Sequence, residues 1–188
     1  HGISFDYGQN HKVALERLEK NIHYLEAHKH ALASYNCIQL PLGDILESSL
    51  TKKSEEVPTG HYEEENMKST VVPNRNMIFL SIIQGIALSI AIREKTTVEI
   101  CLGVHSGDHA IYPDCTFNFF QAAHNAFCEG NYDSKLVGLK LPYLTYNKTI
   151  ILSGCLFDCW NLGLDFYKVL RNTNTSYNPD ENGKSSGT

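Results

Sequence analysis

The chain has 188 residues, of which 42% are hydrophobic and 20% are charged, values that are ordinary for a globular protein in water. This length allows one α/β domain with a substantial core. A net charge of −5 offers no basic surface to nucleic acid or anionic lipid, so direct nucleic-acid binding is not expected. Six cysteines scattered through apolar segments favour reduced thiols and a cytoplasmic location.

The first part of the chain predicts a strand, a helix and a second strand. Residues 2–5 form a short apolar strand that ends at the turn Asp6-Tyr7-Gly8-Gln9. Apolar residues then recur at helical spacing from His11 to Ala33, and residues 37–40 predict the second strand. Residues 48–69 are polar and show no period, which is typical of a long loop.

A long apolar segment follows, from Met77 to Ile92. It is shorter than the roughly 20 residues that a membrane span needs. Four polar or small residues also interrupt it, namely Ser81, Gln84, Gly85 and Ser89. We therefore predict a core helix that is covered on several sides, and no membrane association.

The rest of the chain continues the alternation of strands and helices. Strands are predicted at 97–103 and 136–141, helices at 117–127 and 148–159, and a turn at 162–164 leads into a last short segment. Such alternation predicts an α/β fold with a doubly wound parallel sheet and helices on both faces. We assign residues 1–171 to a single α/β domain and residues 172–188 to a polar tail.

Two segments follow predicted strands directly, the turn at 6–9 and the loop GVHSGDHAIYPDC at 103–115. Ligands of parallel sheets bind at the carboxyl ends of the strands, so we expect both segments at the binding edge. Arg75 stands between two asparagines just before the apolar helix. It predicts either anion recognition at the helix start or a surface arginine beside a capping asparagine.

The loop at 103–115 contains residue types that suit three different sites. Zinc accepts the side chains of His105, His109 and the nearby aspartates, although Gly107 and Pro113 oppose a continuous helix here. Cys115 could serve as a nucleophile or as a small buried residue. The third interpretation, a polar pocket that binds ligand by hydrogen bonds, is the one we favour.

Four segments in order resemble one family, the 7-cyano-7-deazaguanine synthases, a branch of the PP-loop ATP pyrophosphatases. They are SFDYGQNH at 4–11, TVVPNRNMIFLS at 70–81, GVHSGDHAIYPDC, and the predicted helix that contains Lys148. The resemblance covers nearly the whole chain. It implies an adenine-nucleotide α-hydrolase-like (Rossmann-like) fold and an ATP-dependent ligase. In this family 7-carboxy-7-deazaguanine is adenylated, captured by ammonia and dehydrated to the nitrile, with ATP and Mg2+.

The resemblance also implies roles for particular residues. The nucleotide pocket would be bordered by Asp6, Tyr7, Gly8 and Gln9. The substrate pocket would be lined by Arg75, Asn76, Asp108, Tyr112, Asp114 and Cys115. Asp108 and Lys148 would be the catalytic residues, with Lys148 steadying phosphates unless it is a surface lysine. No metal ligand is assigned, and a homodimer is an expected assembly.

The chain also departs from the family. The family's first strand and its SGGxDS phosphate loop would precede His1, and the tail has none of the four cysteines that bind the family's structural Zn2+. Gly107, Ala110, Ile111 and Thr116 replace residues that are usual in the loop. Two alternatives follow: an enzyme that attaches the deazaguanine acyl group to an amine of a partner protein, as in an antiviral defence system, or a non-catalytic binder of the base.

Overall fold

The computed structural model describes residues 1–9, 12–48, 51, 71–107 and 112–173. These residues fall into two compact units, one within residues 1–73 and 152–188 and the other within residues 74–151. We call them the outer unit and the inner unit, after their positions along the chain. The assignment of residues 1–171 to a single domain stays a prediction.

The outer unit contains a parallel strand pair. Strand β1 (Gly2–Asp6) pairs with β2 (Tyr35–Gln39) in parallel, and the two are connected through helix α1 (Val13–Ala27). Both strands and the helix were predicted from the sequence. Because the two strands run the same way, the turns that follow them lie at one edge of the pair.

Helix α1 is shorter than the predicted segment from His11 to Ala33. It ends at Ala27, and two residues later Lys29 adopts a left-handed backbone with φ of 66°. The backbone N–H groups of both His28 and His30 donate to the carbonyl of Leu25, which satisfies the last turn of the helix. This termination is of the kind that usually employs glycine, so a lysine at the position is no clear sign of a helix end.

The carboxyl-terminal part of the outer unit packs beside α1. Helix α5 (Phe166–Arg171) begins at Asp165, whose carboxylate accepts from the backbone N–H groups of Tyr167 and Lys168. The backbone N–H of Asp165 in turn donates to the Tyr24 hydroxyl on α1 at 2.8 Å, a contact between residues 141 positions apart in sequence. A polar side chain of α1 thus holds a segment from the far end of the chain.

The inner unit contains the second parallel pair. Strand β3 (Val98–Cys101) pairs with β4 (Val137–Lys140), and helices α2 (Arg75–Glu94) and α3 (Phe117–Gly130) pack on them. Helix α4 (Lys148–Asn161) follows β4, and the division between the units falls within it. The two parallel pairs and their connecting helices confirm the α/β class.

The core of the inner unit is built on one face of α2. Ala87 packs with Ile100, Phe127 and Val137, and nearer the start of the helix Leu80 packs with a second cluster. That second cluster contains Phe120 and Ala123 of α3. By length and composition α2 is the single helix of the described residues that could cross a membrane, yet several of its apolar residues already have partners in this core.

The prediction that this helix is covered on several sides holds for only part of its surface, because one of its faces is exposed among the described residues. The exposed residues of α2 include a series at helical spacing: Ser81, Gly85, Ser89 and Ile92. Three of these are the small or polar residues that seemed only to interrupt the apolar segment. They mark the face of α2 that is exposed, because residues three or four positions apart share a side of a helix.

Candidate functional site

The turn after β1 is held together by its own side chains. The Asp6 carboxylate, in a residue that is only 9% exposed, accepts from the Gly8 backbone N–H at 3.3 Å and lies 3.4 Å from the Lys12 ammonium. Gln9 accepts from the Tyr7 N–H at 2.8 Å and donates to the Phe5 carbonyl at 3.4 Å. Two of the four predicted nucleotide-binding residues therefore shape the turn with their side chains.

Gly8 brings this turn against the turn that follows β2. Its φ is +82°, and a Cβ at this position would lie 3.2 Å from the Gly43 Cα. The Tyr7 carbonyl accepts from the Gly43 N–H at 3.0 Å, so the two turns are joined backbone to backbone. Gly43 was missed from the sequence, although a glycine just after a strand is a recognisable sign of a close approach.

A second group of predicted residues meets at the carboxyl edge of β3. The side-chain amide of Asn76, in the first turn of α2, donates from Nδ2 to the Asp114 carbonyl at 3.4 Å and to the Cys115 Sγ at 3.5 Å. Its Oδ1 accepts from Nε of Arg75 at 3.1 Å. Substrate-site residues that lie 38 positions apart in sequence are thereby brought together.

The Asp114 carboxylate is left accessible in this arrangement. The residue is half-buried, and among the described residues the one hydrogen bond to its carboxylate is a long one from the Cys115 thiol, 3.9 Å. Tyr112, also half-buried, accepts from the Cys115 N–H through its carbonyl at 2.9 Å. Asp114 can therefore still accept several hydrogen bonds from a ligand.

Lys148 is the first residue of α4, which follows the loop after β4. The backbone N–H and the hydroxyl of Ser106 both donate to the Tyr146 carbonyl, at 3.1 and 3.0 Å, and so join the loops that follow β3 and β4. Asn147 caps α4 by accepting from the Ile150 N–H at 3.0 Å. Lys148 thus lies, exposed, just after the loop that Ser106 contacts.

The three interpretations of the 103–115 loop require different surroundings for its side chains. His105 accepts from the Gly107 N–H through Nδ1 at 3.0 Å, while Asp108 and His109 lie outside the described residues. Within the described ranges no group of three or more His, Cys, Asp or Glu side chains could hold a metal ion. Cys115 is 5% exposed and contacts Asn76, which favours a buried structural thiol over a nucleophile.

Two capping residues of this edge have structural tasks that the sequence-based prediction did not assign. Thr116 accepts from the Phe119 N–H at 3.3 Å and donates to the Pro113 carbonyl at 3.0 Å, and so caps α3 and holds the short turn before it. Asn147 plays the corresponding part for α4. A threonine or asparagine just before an apolar helix is a known capping signal, and both could have been found.

The fold and this edge define an α/β protein with polar side chains at the carboxyl ends of parallel strands, which is where nucleotide-dependent enzymes of this class commonly bind their ligands. The sequence model of the "Queuosine biosynthesis protein QueC" family matches residues 1–188. The chain belongs to the QueC family.

Individual relatives agree with this assignment. The 7-cyano-7-deazaguanine synthase of Psychromonas ingrahamii is 40% identical over 181 residues, which are 96% of this chain and 73% of the relative. The 7-cyano-7-deazaguanine synthase 1 of Colwellia psychrerythraea is 41% identical over 179 residues, 95% of this chain and 73% of the relative. A synthase of the same name from Methanoregula boonei is 41% identical over 148 residues, 78% of this chain and 62% of the relative.

Proposed function

We propose that the protein is a 7-cyano-7-deazaguanine synthase, an ATP-dependent ligase that converts 7-carboxy-7-deazaguanine to the amide and then the nitrile in queuosine biosynthesis. Membership of the QueC family and relatives named for this activity support the proposal. The observation that carries the site is the half-buried Asp114 carboxylate, which lies at the β3 edge with its acceptor capacity largely unused by the described residues.

The chemistry of the base suits this carboxylate. The deazaguanine ring presents a ring N–H and an exocyclic amine side by side, and one aspartate can accept from both. Tyr112, two residues earlier, offers a flat wall against which a purine-like ring can stack. Arg75 at the start of α2 supplies a planar cation that suits a carboxylate or a phosphate. Asp108 belongs to the same proposed pocket, although it lies outside the described residues.

The reaction needs activation because a carboxylate is a poor electrophile. A carboxylate oxygen of the substrate attacks the α-phosphorus of ATP and pyrophosphate leaves, which gives an acyl adenylate. Ammonia attacks the acyl carbon, AMP leaves and a proton is lost, so that the amide forms. In a second round the amide oxygen is adenylated, and the nitrile forms as AMP departs with that oxygen and the nitrogen loses its two protons.

The chain's own residues serve binding and charge in these steps. The turn from Asp6 to Gln9 borders the nucleotide, and Gly8 offers backbone without a side chain. Lys148 contributes a positive charge to the phosphates. Among the described residues no group of three or more His, Cys, Asp or Glu side chains could hold a metal ion. The Mg2+ that the family resemblance implies would accompany ATP.

Neither alternative function is favoured by a specific observation. The relatives compared above are all named as synthases, and none is named for modification of a protein. Thr116, one of the unusual loop residues, already has a structural task as the cap of α3, so its presence does not require an altered acceptor. The cytoplasmic location agrees with six free thiols, and the homodimer stays a prediction.

The proposal is tested by product analysis. The full-length protein is incubated with ATP, 7-carboxy-7-deazaguanine and ammonium, and the products are identified by mass spectrometry. We expect the nitrile together with AMP, and no nitrile when ammonium is left out. AMP release without amide or nitrile, seen only when a partner protein is added, would establish the protein-modifying alternative. Binding of the base with no AMP release would establish the non-catalytic one.

A further inference from the structure

The side chain of Asn76 is committed to the protein itself. An asparagine amide offers two N–H donors, and Nδ2 of Asn76 lies 3.4 Å from the Asp114 carbonyl oxygen and 3.5 Å from the Cys115 Sγ. One lone pair of its Oδ1 accepts from Arg75 Nε at 3.1 Å. Nδ2 is therefore engaged within the protein, whereas the family resemblance placed Asn76 in the lining of the substrate pocket.

Asn76 contacts the backbone of Asp114 and the side chain of Cys115, and both of these influence the direction of the Asp114 carboxylate. One contact fixes the peptide of Asp114 and the other fixes the side chain of Cys115, whose thiol donates to Asp114 Oδ1. Cys115 is buried, so its position is also set by the surrounding core. The amide of Asn76 therefore joins the first turn of α2 to the short turn Pro113–Cys115 at the point where the carboxylate begins.

We propose that Asn76 is a positioning residue that acts through Asp114, and that it does not itself bind the substrate. This inference rests on the proposed function, because it assigns the task of recognising the deazaguanine base to Asp114. A carboxylate recognises two adjacent N–H groups only if both oxygens lie in the plane of the base at hydrogen-bond distance. Asn76 contributes to affinity by holding the peptide from which that carboxylate projects.

The test is a double-mutant cycle on base affinity. Asn76→Ala, Asp114→Ala and the double variant are prepared in the full-length protein, and the Kd for 7-carboxy-7-deazaguanine is measured by titration calorimetry. We expect Asn76→Ala to weaken binding roughly five- to tenfold, the size of one or two lost hydrogen bonds. In the Asp114→Ala background the same change should have little further effect, because the group that it positions is already gone.

A matched control removes a similar contact from elsewhere in the inner unit. Asn131, at the end of α3, also donates from Nδ2 to a backbone carbonyl, that of Phe127 at 2.9 Å. Asn131→Ala should lower the melting temperature by a similar amount and leave the Kd for the base unchanged. A second variant, Asn76→Asp, keeps the shape of the side chain but lacks both donors, so it should weaken base binding at least as much as Asn76→Ala.

The possible outcomes separate this inference from the function on which it rests. Wild-type protein that binds no 7-carboxy-7-deazaguanine refutes both. Wild-type binding together with equal losses from Asn76→Ala in the two backgrounds refutes only the positioning role and assigns Asn76 to the ligand. Full affinity in Asn76→Asp also refutes it, since a carboxylate cannot donate to the Asp114 carbonyl. A loss that disappears in the Asp114→Ala background supports the proposal.

Discussion

The carboxyl edges of the two strand pairs are built in different ways. At the β1 edge the side chains that hold the turn lie within a few residues of one another, from Phe5 to Lys12, and the contacts from further away include those of the Leu40 and Gly43 backbones. At the β3 edge the decisive contact joins Asn76 to Asp114, which are 38 positions apart.

This difference bears on what each edge can recognise. The β1 edge offers mainly backbone and a glycine without a side chain, which suits a ligand that is bound closely but with few specific side-chain contacts. The β3 edge offers a directed carboxylate and an aromatic ring, which suit the recognition of one particular base. We therefore expect substitutions at the β3 edge to affect ligand choice, and substitutions at the β1 edge to affect the conformation of the backbone.

The largest effect is expected from Asp114→Ala. The change removes the proposed acceptor for the base and should weaken binding of 7-carboxy-7-deazaguanine by roughly ten- to a hundredfold, about 1.4–2.8 kcal/mol. Binding of ATP should be nearly unchanged, because that ligand is assigned to the β1 edge. Titration calorimetry with each ligand separately measures both effects. Asp158→Ala, which removes an exposed aspartate from α4, serves as the control.

Equal losses of base and ATP affinity in Asp114→Ala would remove the distinction between the two edges. Unchanged affinity for the base would count against the pocket itself. In either case the melting temperature of the variant shows whether the protein has remained folded.

A smaller effect is expected from Gly8→Ala at the β1 edge. The alanine would have to adopt φ of +82°, and its Cβ would lie 3.2 Å from the Gly43 Cα, so we expect a loss of about 2 kcal/mol in the free energy of unfolding. Gly163→Ala is the matched control. Gly163 also has a positive φ, +69°, but a Cβ there would meet no atom of the described residues within 4 Å, so about 1 kcal/mol is expected.

Urea unfolding of both glycine variants measures the difference, which isolates the contact between the two turns. If Gly8→Ala costs no more than Gly163→Ala, the backbone-to-backbone junction of the β1 edge contributes nothing beyond its dihedral angle. The ATP affinity of Gly8→Ala, measured in parallel, shows whether that junction also matters to the nucleotide.

The smallest effect is expected on the pH dependence of the unfolding free energy, and it arises from Cys159 in the outer unit. Burial and, to a smaller extent, the neighbouring Cys155 raise the pKa of the Cys159 thiol from 9.0 to about 11. A group whose pKa is higher in the folded state stabilises the protein below its unfolded pKa. That stability is lost as the pH rises from 9.0 through about 11. We expect Cys159→Ala to flatten the decline in unfolding free energy over this range, as followed by urea unfolding at several pH values.

An equally steep decline in Cys159→Ala would assign the pH dependence to other groups. Lys140 does not complicate the comparison in the same way. The pKa of Lys140 is raised chiefly by its hydrogen bond to Glu99, and this pair is well exposed, so solvent screens its contribution.

Much of the fold was predictable because its signals are local. The order of strands and helices, the parallel pairing and the start of α3 follow from periodicity, connection length and a capping threonine. The exposed face of α2 could also have been predicted, since Ser81, Gly85 and Ser89 recur every four residues. The end of α1 could not, because Lys29 takes a left-handed conformation that its residue type does not indicate.

By itself the sequence determined the family, the α/β class and the set of residues from which a site could be made, because motifs and hydrophobic periods are properties of neighbouring residues. Only the tertiary structure decided how those residues are used. Hydrogen bonds between distant segments commit the Asn76 amide to the protein and leave the Asp114 carboxylate accessible, and such partners depend on how the chain is folded. The same holds for Gly43, whose role exists only because β2 lies beside β1.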